Sequence, residues 1–250
     1  MDIARRKYPI GTYTFELENQ GKQVVEIGIC RDDIQNKTMN VVIVANGAFP
    51  RTEYPRYVLA SADFVVCCDG ALQTLEKHSV VPDVVIGDLD SVCSRALKRF
   101  PGTVVRSSDQ QTNDLTKAFD YVMRNCPGTE SVTIIGATGR GEAHTIGNLS
   151  LLMEYQSKHD LSSKGISLNI VSDYCTAFAI TDSSDLHVGE GRKVSLFTPD
   201  PTLKISSKGL VWPTDDVVFD NWWKATLNKA QEDVISLRLS HPSMVLVILD

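Results

Sequence analysis

The stretch "VIGDLDSV" (85–92) sets Asp88 and Asp90 one residue apart at the end of an apolar run. Carboxylates that close repel each other unless a cation lies between them, so a buried strand that ends this way offers hard oxygen ligands. Similar polar groups close other apolar runs. Asp69 follows "FVVCC", Asp109 to Asp114 follow "TVVRS", and Asn46-Gly47, Gly136 to His144 and Asp173 follow three more. No His or Cys stands among the carboxylates at metal-ligand spacing, and oxygen donors alone favour Mg²⁺. Ordinary alternatives stand beside each residue. An Asp before a helix is also an N-cap, and Asp-x-Asp also occurs in solvated turns. Lys117, one turn beyond Asp114, reads as a salt-bridging lysine or as a phosphate partner. His144 reads as a helix-face or hydrogen-bonding histidine.

The elements that must hold these groups are short and regular. "VVIVA" (41–45), "FVVCCD" (64–69), "VVIGD" (84–88), "TVVRS" (103–107), "SVTIIGA" (131–137) and "SLNIVS" (167–172) are nearly continuous apolar runs, as strands covered on both faces must be. Between them lie helical patterns. The clearest is "DLTKAFDYVMRN", with Leu115, Ala118, Phe119, Val122 and Met123 on one face. This alternation predicts an α/β domain with an open parallel sheet and flanking helices, whose ligand lies beyond the carboxyl ends of the strands, where the polar groups gather. After about residue 175 the pattern changes to "RKVSLFT", "DVISLRLS" and "SMVLVIL" between turn residues, which predicts a smaller all-β sandwich domain. The expected division is an N-terminal extension over 1–38 with a hairpin at Asn19-Gln20-Gly21, an α/β domain over 39–175 and the sandwich over 176–250.

Composition excludes several classes of function. With 250 residues, 42% of them hydrophobic and 22% charged, the chain can bury ordinary cores without staples. The longest clean apolar run, "MVLVIL" (244–249), is far too short for a bilayer, and "MDIARRKYPIG" lacks the apolar core of a signal peptide; the expected location is cytoplasmic. Cysteines at 30, 67, 68, 93, 126 and 175 form no CxxC pair and read as reduced core thiols. A net charge of −6 without a basic, aromatic-interleaved patch opposes nucleic-acid binding, but leaves room for a nucleotide carried with Mg²⁺. The loop in "VTIIGATGRGEAH" (132–144) is similar to the glycine loops of nicotinamide-binding folds, which opens the alternative of an NAD(P)-dependent oxidoreductase. It follows the fifth strand instead of the first, however, and no Gly-Lys-Ser/Thr makes it a Walker A loop. Its small residues let backbone N–H groups approach an anion, with Arg140 as a phosphate partner.

Taken in order, "VIVANGAFP", "VVCCDGAL", "PDVVIGDLDS", "SSDQQTNDLTKAF", "GATGRGEAHTIGNLSLL" and "SSKGLVWP" resemble the thiamine pyrophosphokinases over about residues 39–250. The resemblance implies a Rossmann-like nucleotide domain followed by a β-sandwich, a homodimer with shared active sites, Mg²⁺, and ATP as co-substrate. Its implied reaction is attack of thiamine's hydroxyl on the β-phosphorus of ATP, with AMP leaving. It places Asp69, Asp88, Asp90 and Asp114 around Mg²⁺ and the phosphates. Asn46, Gln110, Asn113, Lys117, Arg140, Glu142 and His144 fall on the nucleotide side. Ser206 and Trp212 fall on the thiamine, contributed by the opposite subunit; Trp212 also reads as a core tryptophan of the sandwich. One departure stands out: many relatives have a compact Gly-Arg-x-Asp-His, whereas this chain has Ala143 before His144. Either Glu142 takes the acidic role in a shifted register or that role is lost, which leaves a non-catalytic thiamine- or nucleotide-binding protein as a further alternative.

Overall fold

The computed structural model describes residues 38–250 except positions 91, 93, 108 and 110. The hairpin expected at Asn19-Gln20-Gly21 and the site residue Gln110 lie outside the described residues. From Met39 the chain alternates strand and helix: β1 (Met39–Val44), α1 (Glu53–Ala60), β2 (Phe64–Cys68), α2 (Leu72–Lys77), β3 (Val84–Gly87), α3 (Ser94–Arg99), β4 (Thr103–Arg106), α4 (Asp114–Asn125), β5 (Thr129–Ile135), α5 (Glu142–Lys158) and β6 (Ser167–Val171). The six strands pair in parallel in the order β6-β5-β1-β2-β3-β4. Strand order reverses beside β1, since β2 lies on one flank and β5 on the other. That reversal opens a crevice at the carboxyl ends of β1 and β5.

Continuous apolar strands are needed in β1, β2 and β3 because both faces are covered; β4, at the edge of the sheet, departs from the expectation, its residues alternating half-buried and exposed. Val41 and Ile43 of β1, with Val66, Cys68 and Ile86, pack under Phe119 of α4 and Tyr155 of α5. Val42, Val44, Val65, Cys67 and Val85 face the other way, onto Leu59, Leu72, Leu75 and Ala96. Helix α4 spans the residues whose periodicity predicted it. Its Phe119 ring stacks on Tyr155 with centroids 4.3 Å apart, and the Tyr155 hydroxyl shares a 2.7 Å hydrogen bond with Thr116 Oγ1. The start of α4 is thereby tied to the last turn of α5.

The C-terminal part contains β7 (Thr176–Ile180), β8 (Ser184–His187), β9 (Lys193–Phe197), β10 (Ile205–Lys208), β11 (Asn228–Lys229), β12 (Val234–Leu239) and β13 (Val245–Leu249). Its sandwich is built in an unexpected way. β7 folds back antiparallel on β6, and β13, β9 and β11 follow, so one ten-stranded sheet runs through residue 175. The turn is closed locally: Ser172 N–H donates to Cys175 O at 2.9 Å, and Ser172 Oγ accepts from the backbone of Tyr174 and Cys175. Extending the sheet gives the outer edge of β6 its hydrogen-bond partners. The second leaf is the three-stranded sheet β10-β12-β8, whose Ile205, Ile235 and Leu237 pack on Val194, Leu196, Val245 and Val247. Among the described residues, no helix is long and apolar enough to cross a membrane.

Tyr155 carries the first prediction. Tyr155→Phe keeps the ring stack but leaves the buried Thr116 hydroxyl without that partner, and is expected to cost about 1–2 kcal/mol in denaturant unfolding. Tyr155→Ala also opens a cavity under α4 and is expected to cost about 3–5 kcal/mol.

Candidate functional site

Asp69 opens a short 3₁₀ turn at the end of β2 and is 2% exposed. Its Oδ2 accepts the Leu89 N–H at 2.9 Å, so the carboxylate of one strand end is held by the backbone of the next. Two local features allow this. Gly87 has no side chain, and a Cβ there would stand 2.6 Å from the Asp69 carboxyl carbon. Leu89 adopts φ +69°, a left-handed conformation uncommon for a side chain of its size, and its N–H makes the bond to Asp69. The same turn sets Asp88 and Asp90 on either side of Leu89, with Asp90 N–H donating to Asp88 Oδ1 at 3.1 Å.

One carboxylate oxygen each from Asp69, Asp88 and Asp90 lies within 4.8 Å of the other two. The buried, half-buried and exposed members form an all-oxygen donor set, which suits a hard divalent ion such as Mg²⁺. Burial first, and then the charge of Asp114, push the Asp69 pKa up, against hydrogen bonds from the Gly70 and Leu89 amides. Asp88 moves the other way: the Asp90 amide holds its pKa down, with help from the Lys117 ammonium.

Asp114 is the first residue of α4, close enough for its charge to act on Asp69, and its Oδ1 receives Lys117 Nζ at 3.0 Å. It therefore stands beside the three-carboxylate group with a cation of its own. The Lys117 side chain is buried while that of Asp114 is partly open to solvent, so the pair is screened on one side only. Asn113 caps α4, its Oδ1 accepting from Thr116 N at 2.8 Å. Upstream, Asp109 is held ionised by the Thr112 hydroxyl and then the Gln111 amide.

On the other side of β1, Arg140 Nη1 donates to the Asn46 backbone oxygen at 3.0 Å and to its Oδ1 at 2.8 Å. The glycines of "GATGRG" serve the same contact. Gly47 N–H donates to Gly136 O and Ala48 N–H to Thr138 O, while Gly136 and Gly139 have positive φ; a Cβ on them would stand 2.6 Å from Ala45 O and 2.7 Å from Ala48 Cβ. They let the β5–α5 loop lie against the β1–α1 loop, which removes the sequence-level reason for an oxidoreductase. Glu142, Ala143 and His144 form the exposed first turn of α5.

The thiamine candidates lie in the C-terminal part of the chain. Ser206 is exposed on β10, opposite Arg238 of β12. Trp212 is 60% exposed, which rules out the core reading, and lines a cleft of about 340 Å³ with Pro213, Thr214, Val217, Lys224 and Leu227. Its backbone is fixed by Asn228 on β11: Trp212 N–H donates to Asn228 Oδ1 at 3.2 Å, and Asn228 Nδ2 donates to Trp212 O at 2.6 Å. Sequence reading did not single out Asn228, and no local pattern marks it. β11 and β2 are seven strand spacings apart in the sheet, on the order of 30 Å.

A doubly wound sheet with its polar groups at the switch point, continued into a sandwich, defines an α/β ligand-binding protein of two functional halves. Residues 55–162 match the family model described as thiamin pyrophosphokinase, catalytic domain, and residues 176–246 match thiamin pyrophosphokinase, substrate-binding domain. The chain belongs to the thiamin pyrophosphokinase family. It is 29% identical over 149 residues to thiamine pyrophosphokinase 1 of Oryza sativa subsp. japonica, a match spanning 54% of this chain and about half (53%) of the relative. Solved structures share the fold. Thiamine pyrophosphokinase from Bacillus subtilis superposes with a TM-score of 0.68 at 17% identity, covering 84% of this chain and 98% of its own. The Candida albicans enzyme gives 0.68 at 13% identity, covering 85% and 88%.

The raised pKa of Asp69 makes a prediction about stability. The folded protein keeps this proton to higher pH than the unfolded chain does, so without metal it loses stability as pH rises from the ordinary carboxylate range through the raised value. Asp69→Asn retains an oxygen for the Leu89 N–H and removes the charge. In EDTA at pH 7 it is expected to melt above wild type, with the gap narrowing as pH falls toward the ordinary Asp value. Thermal scans at several pH values check this, and a variant melting below wild type at pH 7 contradicts it.

Proposed function

We propose that the protein is a thiamine diphosphokinase, transferring the pyrophosphoryl group of ATP to thiamine to give thiamine diphosphate and AMP. The observation that carries the reading is the Asp69, Asp88 and Asp90 oxygen cluster at strand ends beside the switch-point crevice, within the region that matches the family's catalytic domain. Asp69, Asp88 and Asp90, with Asp114 alongside, would hold Mg²⁺, which would supply charge neutralisation and alignment of the phosphates.

The chain's own groups do the rest. The β3–α3 turn holds the carboxylates together through the Leu89 and Asp90 amides, so that the oxygens need not reorganise when the ion enters. The Asp90 amide holds the Asp88 pKa down, and Lys117, a buried positive charge next to Asp114, adds to it. Arg140 uses Nη1 on Asn46 and has further N–H groups to offer phosphate across the crevice. Trp212 offers an indole face to a flat, cationic substrate. The open first turn of α5 leaves Glu142 and His144 available to the nucleotide.

The spacing between Trp212 and the carboxylates supports a homodimer with shared sites. A two-ring substrate cannot bridge some 30 Å, but a second subunit can bring its own Trp212 to the first subunit's aspartates. The free thiols Cys67, Cys68, Cys126 and Cys175 suit a reducing, cytoplasmic location.

Release of AMP that requires both thiamine and Mg²⁺ is the direct test; release without thiamine, or none, rejects the reading. Asp88→Asn and Asp90→Asn are each expected to lower turnover by at least about a hundredfold with the fold retained. Wild-type rates in either variant would remove the metal platform.

Trp212→Ala is expected to raise the thiamine KM about tenfold and leave the ATP KM nearly unchanged. Mixed with Asp88→Asn under subunit exchange and assayed at low thiamine, it is expected to recover about a quarter of wild-type activity, because each heterodimer holds one site with both intact halves. No recovery means that the two residues do not meet across subunits.

A further inference from the structure

One side-chain oxygen crosses the crevice. Asp173 Oδ1 accepts the Arg51 N–H at 2.8 Å, the Thr52 N–H at 2.9 Å and the Thr52 hydroxyl at 3.0 Å. Asp173 lies in the turn between β6 and β7, while Arg51 and Thr52 end the loop between β1 and α1. Because β5 lies between β6 and β1, these bonds span the carboxyl end of β5.

They also hold the start of α1. Thr52 is the N-cap of α1, its side chain makes no capping bond within the helix, and Pro55 contributes no N–H. Asp173, 121 positions away, takes the N–H and hydroxyl of this N-cap residue together with the Arg51 N–H just before it. Burial works to raise the Asp173 pKa, and the Thr52 and Arg51 donors outweigh it, so the group stays a carboxylate and each bond is charge-assisted.

The loop that ends at Thr52 is the one that carries Asn46. Along its length, Ala45 N–H donates to Ile135 O, Gly47 N–H to Gly136 O and Ala48 N–H to Thr138 O, and Arg56 Nε donates to Pro50 O. Asn46 in turn receives Arg140. The loop is stitched to the β5–α5 loop over its first half, and Asp173 pins its far end.

We propose that Asp173 is a positioning residue for the nucleotide: it latches the β1–α1 loop over the switch point and so keeps Asn46 and Arg140 set for the phosphates, without touching substrate itself. The proposal rests on the pyrophosphokinase reading of the crevice. Its deciding readout is equilibrium binding of a nucleotide analogue, which the AMP-release test of that reading does not use.

The experiment measures, in the full chain, binding of a non-hydrolysable ATP analogue with Mg²⁺, the KM values of ATP and thiamine, and amide exchange by segment. Asp173→Ala is expected to weaken the analogue and raise the ATP KM about tenfold with the thiamine KM unchanged. Exchange is expected to quicken over 46–57 while α4 stays protected. Asp173→Asn, which keeps an oxygen acceptor without the charge, is expected to fall between the two. Should Asp173→Ala not fold, Asp173→Asn and Thr52→Val, which removes only the hydroxyl bond, are expected to show the same split at about two- to threefold. Unchanged analogue affinity, equal damage to both substrates, or a wild type that binds no nucleotide overturns the proposal. Nucleotide binding that depends on Asp173, in a protein that releases no AMP with thiamine, supports the latch and sinks only the pyrophosphokinase reading.

Discussion

Mutual repulsion of like charges is the constraint around which this molecule is arranged. Oxygens of Asp69, Asp88 and Asp90 lie within 4.8 Å of one another, with Asp114 near enough to raise the Asp69 pKa further. A flexible chain would relax such a cluster by moving the side chains apart. Here two elements prevent it. Asp69 is buried at the end of a strand whose neighbour lacks a side chain at Gly87, and the backbone of Leu89 is turned into the left-handed region with its amide bonded to Asp69. The cost of crowding is borne by the sheet core on both faces, which lets charge accumulate where an ion can use it.

The parallel half of the molecule was legible in the sequence because burial on both faces writes a simple signature. Each of the six predicted apolar runs became a strand, and "DLTKAFDYVMRN" became α4. The nearness of Asp69, Asp88 and Asp90 was legible for a related reason: each has ordinary uses as a turn former or cap, but residues that end adjacent parallel strands must share one sheet edge. What could not be read were relations set by tertiary pairing. Nothing in the "TAFAI" of β7 (176–180) says that it will join β6 instead of starting a separate sheet, because strand propensity is indifferent to the identity of the partner. The same holds for Asn228, whose side chain holds the Trp212 backbone across sixteen positions, and for Leu89, whose conformation depends on the carboxylate it meets.

Sheet continuity also has a functional consequence. Had the sandwich been a separate body on a linker, Trp212 could swing toward the aspartates of its own chain. Since β7, β13, β9 and β11 extend the nucleotide-side sheet directly, the two halves are held at a separation set by strand count. On the proposed reading, half-sites that far apart along one continuous sheet meet by pairing of copies instead of closure within a copy, as hinge motion would have to break backbone ladders.

The glycine loop shows why topology outranks letters in assigning chemistry. "GATGRG" contains the small residues and following helix of a dinucleotide motif, yet in three dimensions Gly136 and Gly139 are small because the first loop lies against them, and Arg140 is engaged by Asn46. A glycine fingerprint has chemical meaning only where its freed space faces a ligand; here the backbone of another loop already lies in part of it. The departure at Ala143 fits the same geometry. Its turn is exposed, so an acid can be exchanged for alanine there without disturbing the fold, while Gly47 is bonded to Gly136 and Asn46 to Arg140 and they have no such freedom.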